Sequence, residues 1–289
     1  MQGVLHQVMS GIANGSIYAS VALALVMIYQ ATHHINFAQG EMATFSTYIA
    51  LTLIHYGIPY WAAFFITIAV AFLAGMAIER VLMRPFMNAP VLALVGVFVG
   101  LLLIINACSG WFFDYTIKQF PTPFGNNPML GGYMSAHELG ATFVTLMVLL
   151  AVYLFFRHTK LGLGMRAAAL NPVSARLVGI NVGGMLMLGW GLAAAIGAVA
   201  GMMIAPVVFL DPNMMGGILL YAFAGALLGG IDSPLGAVLG GFAVGVIENL
   251  GGAYVVGTEL KLSLALIIIV AVLVVKPSGL MGRTVQSRV

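Results

Sequence analysis

Long hydrophobic segments, separated by short polar connections, make up most of this chain. Charged residues are absent from four stretches that are each 29 to 40 residues long. A helix of about 20 apolar residues crosses the hydrocarbon core of a bilayer, so every one of these stretches can hold at least one crossing. The pattern therefore predicts a polytopic membrane protein before any motif is considered. The four stretches are residues 1–40, 42–78, 85–113 and 177–210.

Nine segments are predicted to be helices that span the membrane or nearly do so. The two short segments within residues 215–250 are equally consistent with half-helices that re-enter from one side, which leaves eight crossings as the alternative. The expected fold is all-α, a transmembrane helical bundle that forms one domain over residues 1–289. The segments are residues 5–29, 37–55, 61–79, 90–108, 139–157, 183–206, 215–230, 234–250 and 258–276.

Basic residues predict the orientation, because connections rich in Lys and Arg stay in the cytoplasm. Nine of the 11 basic residues fall on alternate connections, which places loops 80–89 and 157–182 and the C-terminal tail 277–289 in the cytoplasm. Loop 109–138 then faces outward, and with nine spans so does the N-terminus. The nine residues are Arg80, Arg84, Arg157, Lys160, Arg166, Arg176, Lys276, Arg283 and Arg288.

Composition excludes several classes of protein. Hydrophobic residues make up 62% of the chain and charged residues only 7%, too few to cover the surface of a soluble domain, where about 25% is usual. The formal net charge of +3 comes from residues scattered over connections, so it indicates contact with membrane lipid and no nucleic acid. None of the four lysines follows a glycine, which rules out a Walker A loop. We therefore expect no enzyme, no cofactor and no metal site.

Polar side chains inside the predicted spans are the candidates for a transport function, because they cost free energy in lipid unless they face protein or water. Glu41 and Glu248 are the two carboxylates in question, although each also lies near a predicted helix end and could reach the interface from there. The segment 32–41 breaks the hydrophobic pattern, and irregular backbone at membrane depth is tolerated where it lines a cavity. The N-terminal candidates for a translocation path are Asn14, Ser16, Tyr18, Asn36, Gln39 and Glu41.

Loop 157–182 is longer than a connector requires. Asn171 is placed as an N-cap, Pro172 as the first residue of a short helix, and Gly179 as its stop. A second short helix is expected over residues 165–170. The basic residues and the apolar face around Val173 suit either a socket in a cytoplasmic partner or an amphipathic helix on anionic lipid. The aromatic-rich loop 109–138 is likewise open to two interpretations, contact with the membrane interface or docking of an external partner.

Glycines recur four residues apart, and on a helix such pairs lie on one face. Small residues at that spacing predict helices that approach closely within lipid. The pairs are Gly11 and Gly15, Gly197 and Gly201, Gly225 and Gly229, Gly236 and Gly240, and Gly241 and Gly245.

Three separated motifs resemble one family. The stretches NGSIYA at residues 14–19 and INFAQGE at residues 35–41 are similar to the start of LivH-like permeases, the membrane subunits of branched-chain amino-acid ABC importers. The stretch 164–180 resembles the cytoplasmic coupling segment of that family, and the glycine-rich stretch 228–241 resembles its C-terminal half. The family usually has His where this chain has Gln39, so a role of that His does not carry over.

The resemblance implies partners and a coupling site. The expected partners are a second, LivM-like permease subunit, two cytoplasmic ATP-binding subunits (LivG- and LivF-like) and a periplasmic substrate-binding protein. It places the chain in the bacterial inner membrane. It also favours ATPase docking for loop 157–182, which is called the inner loop below. The residues it implies for coupling are Arg166, Asn171, Pro172, Val173, Arg176 and Gly179.

The substrate is left open by these motifs. Permeases for urea or short amides look similar to those for branched-chain and related hydrophobic amino acids. A secondary transporter driven by an ion gradient is a further alternative, which would need Glu41 or Glu248 as an ion-binding carboxylate.

Overall fold

The computed structural model describes residues 2–32, 34–86 and 89–282, and most of these residues are helical. Arg283 and Arg288, which contribute to the predicted orientation, lie outside the described residues. The helices are α1 Gln2–Thr32, α2 Gln39–His55, α3 Tyr60–Ile78, α4 Val91–Phe113, α5 Ala136–His158, α6 Lys160–Leu170, α7 Pro172–Leu177, α8 Val182–Val208, α9 Met215–Gly229, α10 Pro234–Tyr254 and α11 Lys261–Val275. A two-stranded hairpin, β1 Pro128–Met129 and β2 Met134–Ser135, precedes α5.

Each of the nine predicted spans is a helix, which confirms the all-α bundle. Over the described ranges, seven helical segments are long and apolar enough to cross a membrane. The remaining two, α2 and α9, have 17 and 15 residues. The seven segments are Gly3–Gln30, Tyr60–Phe86, Val91–Phe113, Ala136–His158, Val182–Val208, Pro234–Tyr254 and Thr258–Val275.

Two boundaries differ from the sequence prediction. Helix α4 continues to Phe113, so the aromatic residues Trp111, Phe112 and Phe113 lie on its last turn and not on loop 109–138. Helix α6 begins at Lys160, five residues before the expected start, because the side chain of Thr159 accepts a hydrogen bond from the backbone N–H of Gly162 at 2.9 Å. A threonine at this position caps a helix as Asn or Ser does. The capping role of Thr159 was not predicted from the sequence.

The chain forms two compact units. The first contains the described residues of 1–26, 124–143 and 217–289, and the second those of 27–123 and 144–216. Both units draw on the N-terminal and the C-terminal half of the sequence. Whether residues 1–289 act as a single permease domain stays a prediction.

The first unit is built on close contacts between glycines of α1, α9 and α10. A Cβ atom added to Gly11 would lie 2.8 Å from the Cα of Val246, and one added to Gly15 would lie 2.8 Å from the Cα of Phe242. Gly225 of α9 meets the backbone of Gly241 in the same way, at 2.7 Å. The close packing predicted from the glycine spacing is thus confirmed for these helices.

The second unit is organised around α8, which packs against α2, α3, α6 and α7. Gly75 of α3 lets that helix approach the carbonyl oxygen of Trp190, which an added Cβ would meet at 2.6 Å. The Trp190 ring is fully buried and stacks on Phe98 of α4, with 6.1 Å between ring centroids. Helix α8 is therefore the scaffold that positions the candidate residues of this unit.

Candidate functional site

The candidate residues of α1 have different surroundings. Ser16 is fully buried, and its hydroxyl donates to the carbonyl oxygen of Ala13 in its own helix at 2.7 Å. Asn14 is half-buried. Tyr18 is buried, and its hydroxyl donates to Oε2 of Glu248 in α10 at 2.8 Å. Ser16 is thus satisfied by its own helix, whereas Tyr18 belongs to a network that the sequence did not reveal.

Glu248 is the centre of a buried polar network within the first unit. It lies six residues before the end of α10 and is 5% exposed, so its carboxylate is enclosed by the protein. The ammonium group of Lys261, the first residue of α11, lies 3.4 Å from Oε1 of Glu248. The same ammonium donates to Oδ1 of Asn249 at 2.8 Å. The ring of Tyr18 also stacks on Tyr221 of α9, with 5.0 Å between centroids.

The break between α1 and α2 leads into the second unit. Asn36 is fully buried, and its Oδ1 accepts from the backbone N–H of Ala38 at 3.0 Å, a side-chain turn that directs the chain into α2. Gln39, the first residue of α2, is fully buried and donates from Nε2 to the carbonyl oxygen of Ala193 at 2.9 Å. Ala193 is the twelfth of the 27 residues of α8. Helix α2 therefore begins about halfway along its neighbour.

Glu41 belongs to a second polar network. Nδ2 of Asn106 in α4 lies 3.1 Å from Oε2 of Glu41, from the carbonyl oxygen of Pro212 and from Oδ1 of Asn213. An amide nitrogen carries only two hydrogens, so the three acceptors share them. The partner segment after α8 is tied down separately, because Asp211 caps the backbone N–H of Asn213 at 2.7 Å. The sequence pointed to Glu41, but it gave no signal for its contact with Asn106 or for Asn213.

The six candidates for the path fall into two groups. Asn14, Ser16 and Tyr18 belong to the first unit, whereas Asn36, Gln39 and Glu41 belong to the second. Within the second group, Gln39 and Glu41 share the first turn of α2, and Asn36 is bonded just before it. That all six line one path stays a prediction.

The inner loop has the predicted local structure. Oδ1 of Asn171 accepts from the backbone N–H of Ser174 at 3.0 Å, which makes Asn171 the N-cap of α7, and Pro172 is the first residue of that helix. Gly179 has a φ of +85°, a conformation that side-chain-bearing residues rarely adopt, and it ends the segment. The helix, its cap and its stop are thus confirmed as structural elements.

The exposure of α7 is unusual for its composition. Ala175 is buried on the face towards α8, in a small apolar cluster with Ala168 and Leu186. The opposite face presents large apolar side chains to solvent: 66% of Val173 and 83% of Leu177 are exposed. Arg166 and Arg176 are exposed as well. The segment is therefore fixed through small residues and offers an apolar surface with basic residues around it.

Arg84 connects α3 to the start of α8. After Ile78, the helix continues as a π-helical turn over Glu79–Met83, in which Glu79 is 2% exposed. Arg84 pairs with Glu79 at 3.1 Å and donates from Nη2 to the carbonyl oxygen of Gly183 at 2.9 Å. Since Gly183 is in the first turn of α8, directly after α7, this pair anchors the junction between the inner loop and the scaffold helix. From the sequence, Arg84 was interpreted only as evidence for the orientation of the chain in the membrane.

Comparisons with known proteins cover nearly the whole chain. The sequence model of the family described as branched-chain amino acid transport system / permease component matches residues 7–273. The chain is 31% identical to the high-affinity branched-chain amino acid transport system permease protein LivH of Salmonella typhimurium, over 96% of each protein. It is 32% identical to the permease protein BraD of the corresponding Pseudomonas aeruginosa system, again over 96% of each. A probable LivH of Methanocaldococcus jannaschii is 30% identical over 91% of this chain and 87% of that protein.

Proposed function

The chain belongs to the family of branched-chain amino acid transport system permease components, and we propose that it is the membrane subunit of an ATP-driven importer for branched-chain or related hydrophobic amino acids. The observation that carries this proposal is the inner loop, in which a capped helix anchored on α8 exposes an apolar, basic-edged surface. A transporter that works alone has no use for such a surface. A subunit that receives mechanical work from an ATPase requires one.

The docking surface consists of Val173, Leu177, Val178 and the guanidinium groups of Arg166 and Arg176. Between 66% and 83% of each of the three apolar side chains is exposed, so burial in a partner's groove would remove a continuous apolar strip from water. The helix is short, and its fixed cap and stop hold this strip in one orientation. A helix that merely rests on lipid needs no such anchoring, which favours a protein partner over the membrane surface.

Movement of the docking surface can be transmitted through α8 to the residues of the proposed translocation path. Helix α7 is followed after four residues by α8, whose first turn is held by Arg84 and whose middle holds Gln39. A shift of α8 driven by an ATPase would therefore act on the start of α2. We assign the path to Asn36, Gln39 and Glu41 in the second unit and to Asn14, Ser16 and Tyr18 in the first.

The assembly that we propose has four further components: a second, LivM-like permease subunit, two cytoplasmic ATP-binding subunits and a periplasmic substrate-binding protein. The complex lies in the bacterial inner membrane. The chain crosses that membrane several times, and the distribution of Lys and Arg favours a cytoplasmic position for its inner loop and C-terminus. The ATPase site belongs to the partner subunits.

The proposal is tested with the complete complex in proteoliposomes. Uptake of labelled leucine should require both ATP and the binding protein, with no dependence on a sodium or proton gradient. Uptake of urea in place of leucine would show that the substrate is urea or a short amide and not an amino acid. Uptake by this chain alone, driven by an ion gradient, would refute the ATP-driven mechanism in favour of secondary transport.

A further inference from the structure

The network around Glu248 has hydrogen-bonding capacity that its own residues do not use. Lys261 can only donate, so its 2.8 Å contact identifies the Asn249 atom facing it as the oxygen, Oδ1. The other polar atom of that amide is the nitrogen, Nδ2. This nitrogen is buried and has no hydrogen-bond partner among the described residues, and Asn249 is only 3% exposed. A buried, unpaired donor costs free energy, so its presence calls for an explanation.

The unused capacity beside Glu248 is that of a receptor for a carboxylate. The Asn249 amide nitrogen carries two N–H donors, and the Lys261 ammonium carries three, of which Asn249 Oδ1 receives one. The Lys261–Glu248 pair is separated by 3.4 Å, longer than a well-formed charge-assisted hydrogen bond. Donors with a positive charge among them are the groups that bind a carboxylate most strongly.

Glu248 supplies the complementary charge. Its Oε2 accepts from the hydroxyl of Tyr18 at 2.8 Å, which holds the carboxylate in place beside Lys261. A fixed negative and a fixed positive group, a few ångströms apart, match the ammonium and carboxylate groups of a zwitterion. A neutral amide such as urea has no charged groups to match such a pair.

The packing of α10 against α11 sets the geometry of the pair. Gly252 lies one helical turn after Glu248, and a Cβ there would come within 2.5 Å of Cε of Lys261. The missing side chain lets the aliphatic stem of Lys261 lie across α10 and brings its ammonium group inwards. The Lys261 side chain is still 25% exposed, against 7% for Glu248. The Lys261 side of the network is therefore more exposed than the Glu248 side.

We propose that Glu248, Asn249 and Lys261 bind the α-ammonium and α-carboxylate groups of the amino acid during its passage, with Tyr18 positioning Glu248. This inference rests on the proposed function and names the residues that would bind the two charged groups of its amino-acid substrate. The site is weak, because the substrate has to displace an existing ion pair. The binding protein, and not this site, distinguishes amino acids by their side chains.

The test is leucine binding to the complete complex in phosphatidylcholine nanodiscs, without the binding protein, measured by scintillation proximity. Leucine should displace labelled leucine at least about tenfold better than leucinamide, which lacks the carboxylate, or 4-methylpentanoate, which lacks the ammonium; this is the loss expected from one charge-assisted hydrogen bond. Equal displacement by all three compounds would overturn the proposal.

The decisive variant is Asn249→Asp. It keeps the side-chain volume and an oxygen for Lys261, removes both N–H donors and adds a negative charge that repels a carboxylate. A purely structural network would retain its leucine affinity whatever the change in thermal stability, whereas a binding site should lose about tenfold in affinity or more. Asn126→Asp is the matched control, because it makes the same change at an exposed position of the loop before α5.

The outcome separates this site from the proposed function. ATP-dependent uptake of leucine with the binding protein, together with unchanged leucine affinity in Asn249→Asp, refutes the zwitterion site and leaves the importer assignment standing. Absence of that uptake in the wild-type complex refutes the importer assignment itself.

Discussion

The side-chain nitrogen of Gln39 donates a 2.9 Å hydrogen bond to the backbone carbonyl oxygen of Ala193, and this contact fixes where α2 begins. Gly197 makes the contact possible, because a Cβ at that position would come within 2.5 Å of the Gln39 nitrogen. Since Ala193 is near the middle of α8, the irregular backbone before Gln39 lies at the depth of a spanning helix. Backbone of this kind is tolerated there only when it faces protein or a water-filled path.

Gln39→Leu should therefore impair transport. The substitution removes the donor to Ala193 and should cost about 1 kcal/mol of stability, the net worth of a typical hydrogen bond. We expect a lower melting temperature of the purified complex and slower leucine uptake at unchanged assembly. Gln7→Leu, the same change at a half-buried position of α1, is the control. Wild-type uptake in Gln39→Leu would show that the contact only supports packing.

The fold could be predicted from the sequence because its determinants are local. Uncharged stretches mark the spanning helices, and Asn171 with Pro172 marks the start of α7. The contacts between distant residues could not be predicted in this way. Lys261 is not among the nine basic residues that predict the orientation, and its pairing with Glu248 follows only from the packing of α11 along α10. The same holds for Gln39, whose partner is 154 residues away.

The cap of α7 gives a prediction about coupling. Asn171→Ala removes the acceptor for the Ser174 N–H and should destabilise the first turn by about 1 kcal/mol. A helix of six residues has little other local support, so the docking surface should lose its fixed orientation. We expect fewer leucine molecules transported per ATP hydrolysed. Asn171→Ser retains a capping oxygen and should preserve this ratio; an equal loss in both variants would contradict a role for the cap.

Close packing of α1 on α10 predicts a contrast between two glycines. Gly15→Val would force a side chain against the backbone of Phe242, and overpacking of this kind typically costs about 1–3 kcal/mol. Gly96→Val, in α4, meets nothing within 4 Å and serves as the control. The first variant should unfold at a lower temperature and assemble poorly. Similar unfolding temperatures for the two variants would argue against the observed contact.

Asn14 tests the path in α1. It is half-buried, and in α1 it would be costly to expose to lipid. Asn14→Leu should reduce leucine uptake without reducing assembly, because the change removes polarity while keeping a comparable volume. Asn126→Leu, at an exposed position of the loop before α5, should leave uptake unchanged. If both variants transport like the wild type, Asn14 contributes to packing alone.

Docking of the inner loop on an ATPase is tested by placing charge in its apolar strip. Val173 is 66% exposed and Val255, at the end of α10, is 80% exposed, so Val→Glu at either position should leave the fold of this chain intact. In Val173→Glu, a carboxylate would be carried into the partner's apolar groove, where an unpaired charge is strongly unfavourable. Val255→Glu lies away from that surface and should behave as wild type.

The expected result for Val173→Glu is ATP hydrolysis that no longer responds to the loaded binding protein, together with loss of leucine uptake. Arg166→Glu should act in the same direction through the edge of the surface. Copurification of the ATP-binding subunits separates loss of docking from loss of coupling, since only the former reduces their yield. If Val173→Glu and Arg166→Glu both transport normally, α7 does not contact the ATPase, and the exposed strip is a lipid-facing surface instead.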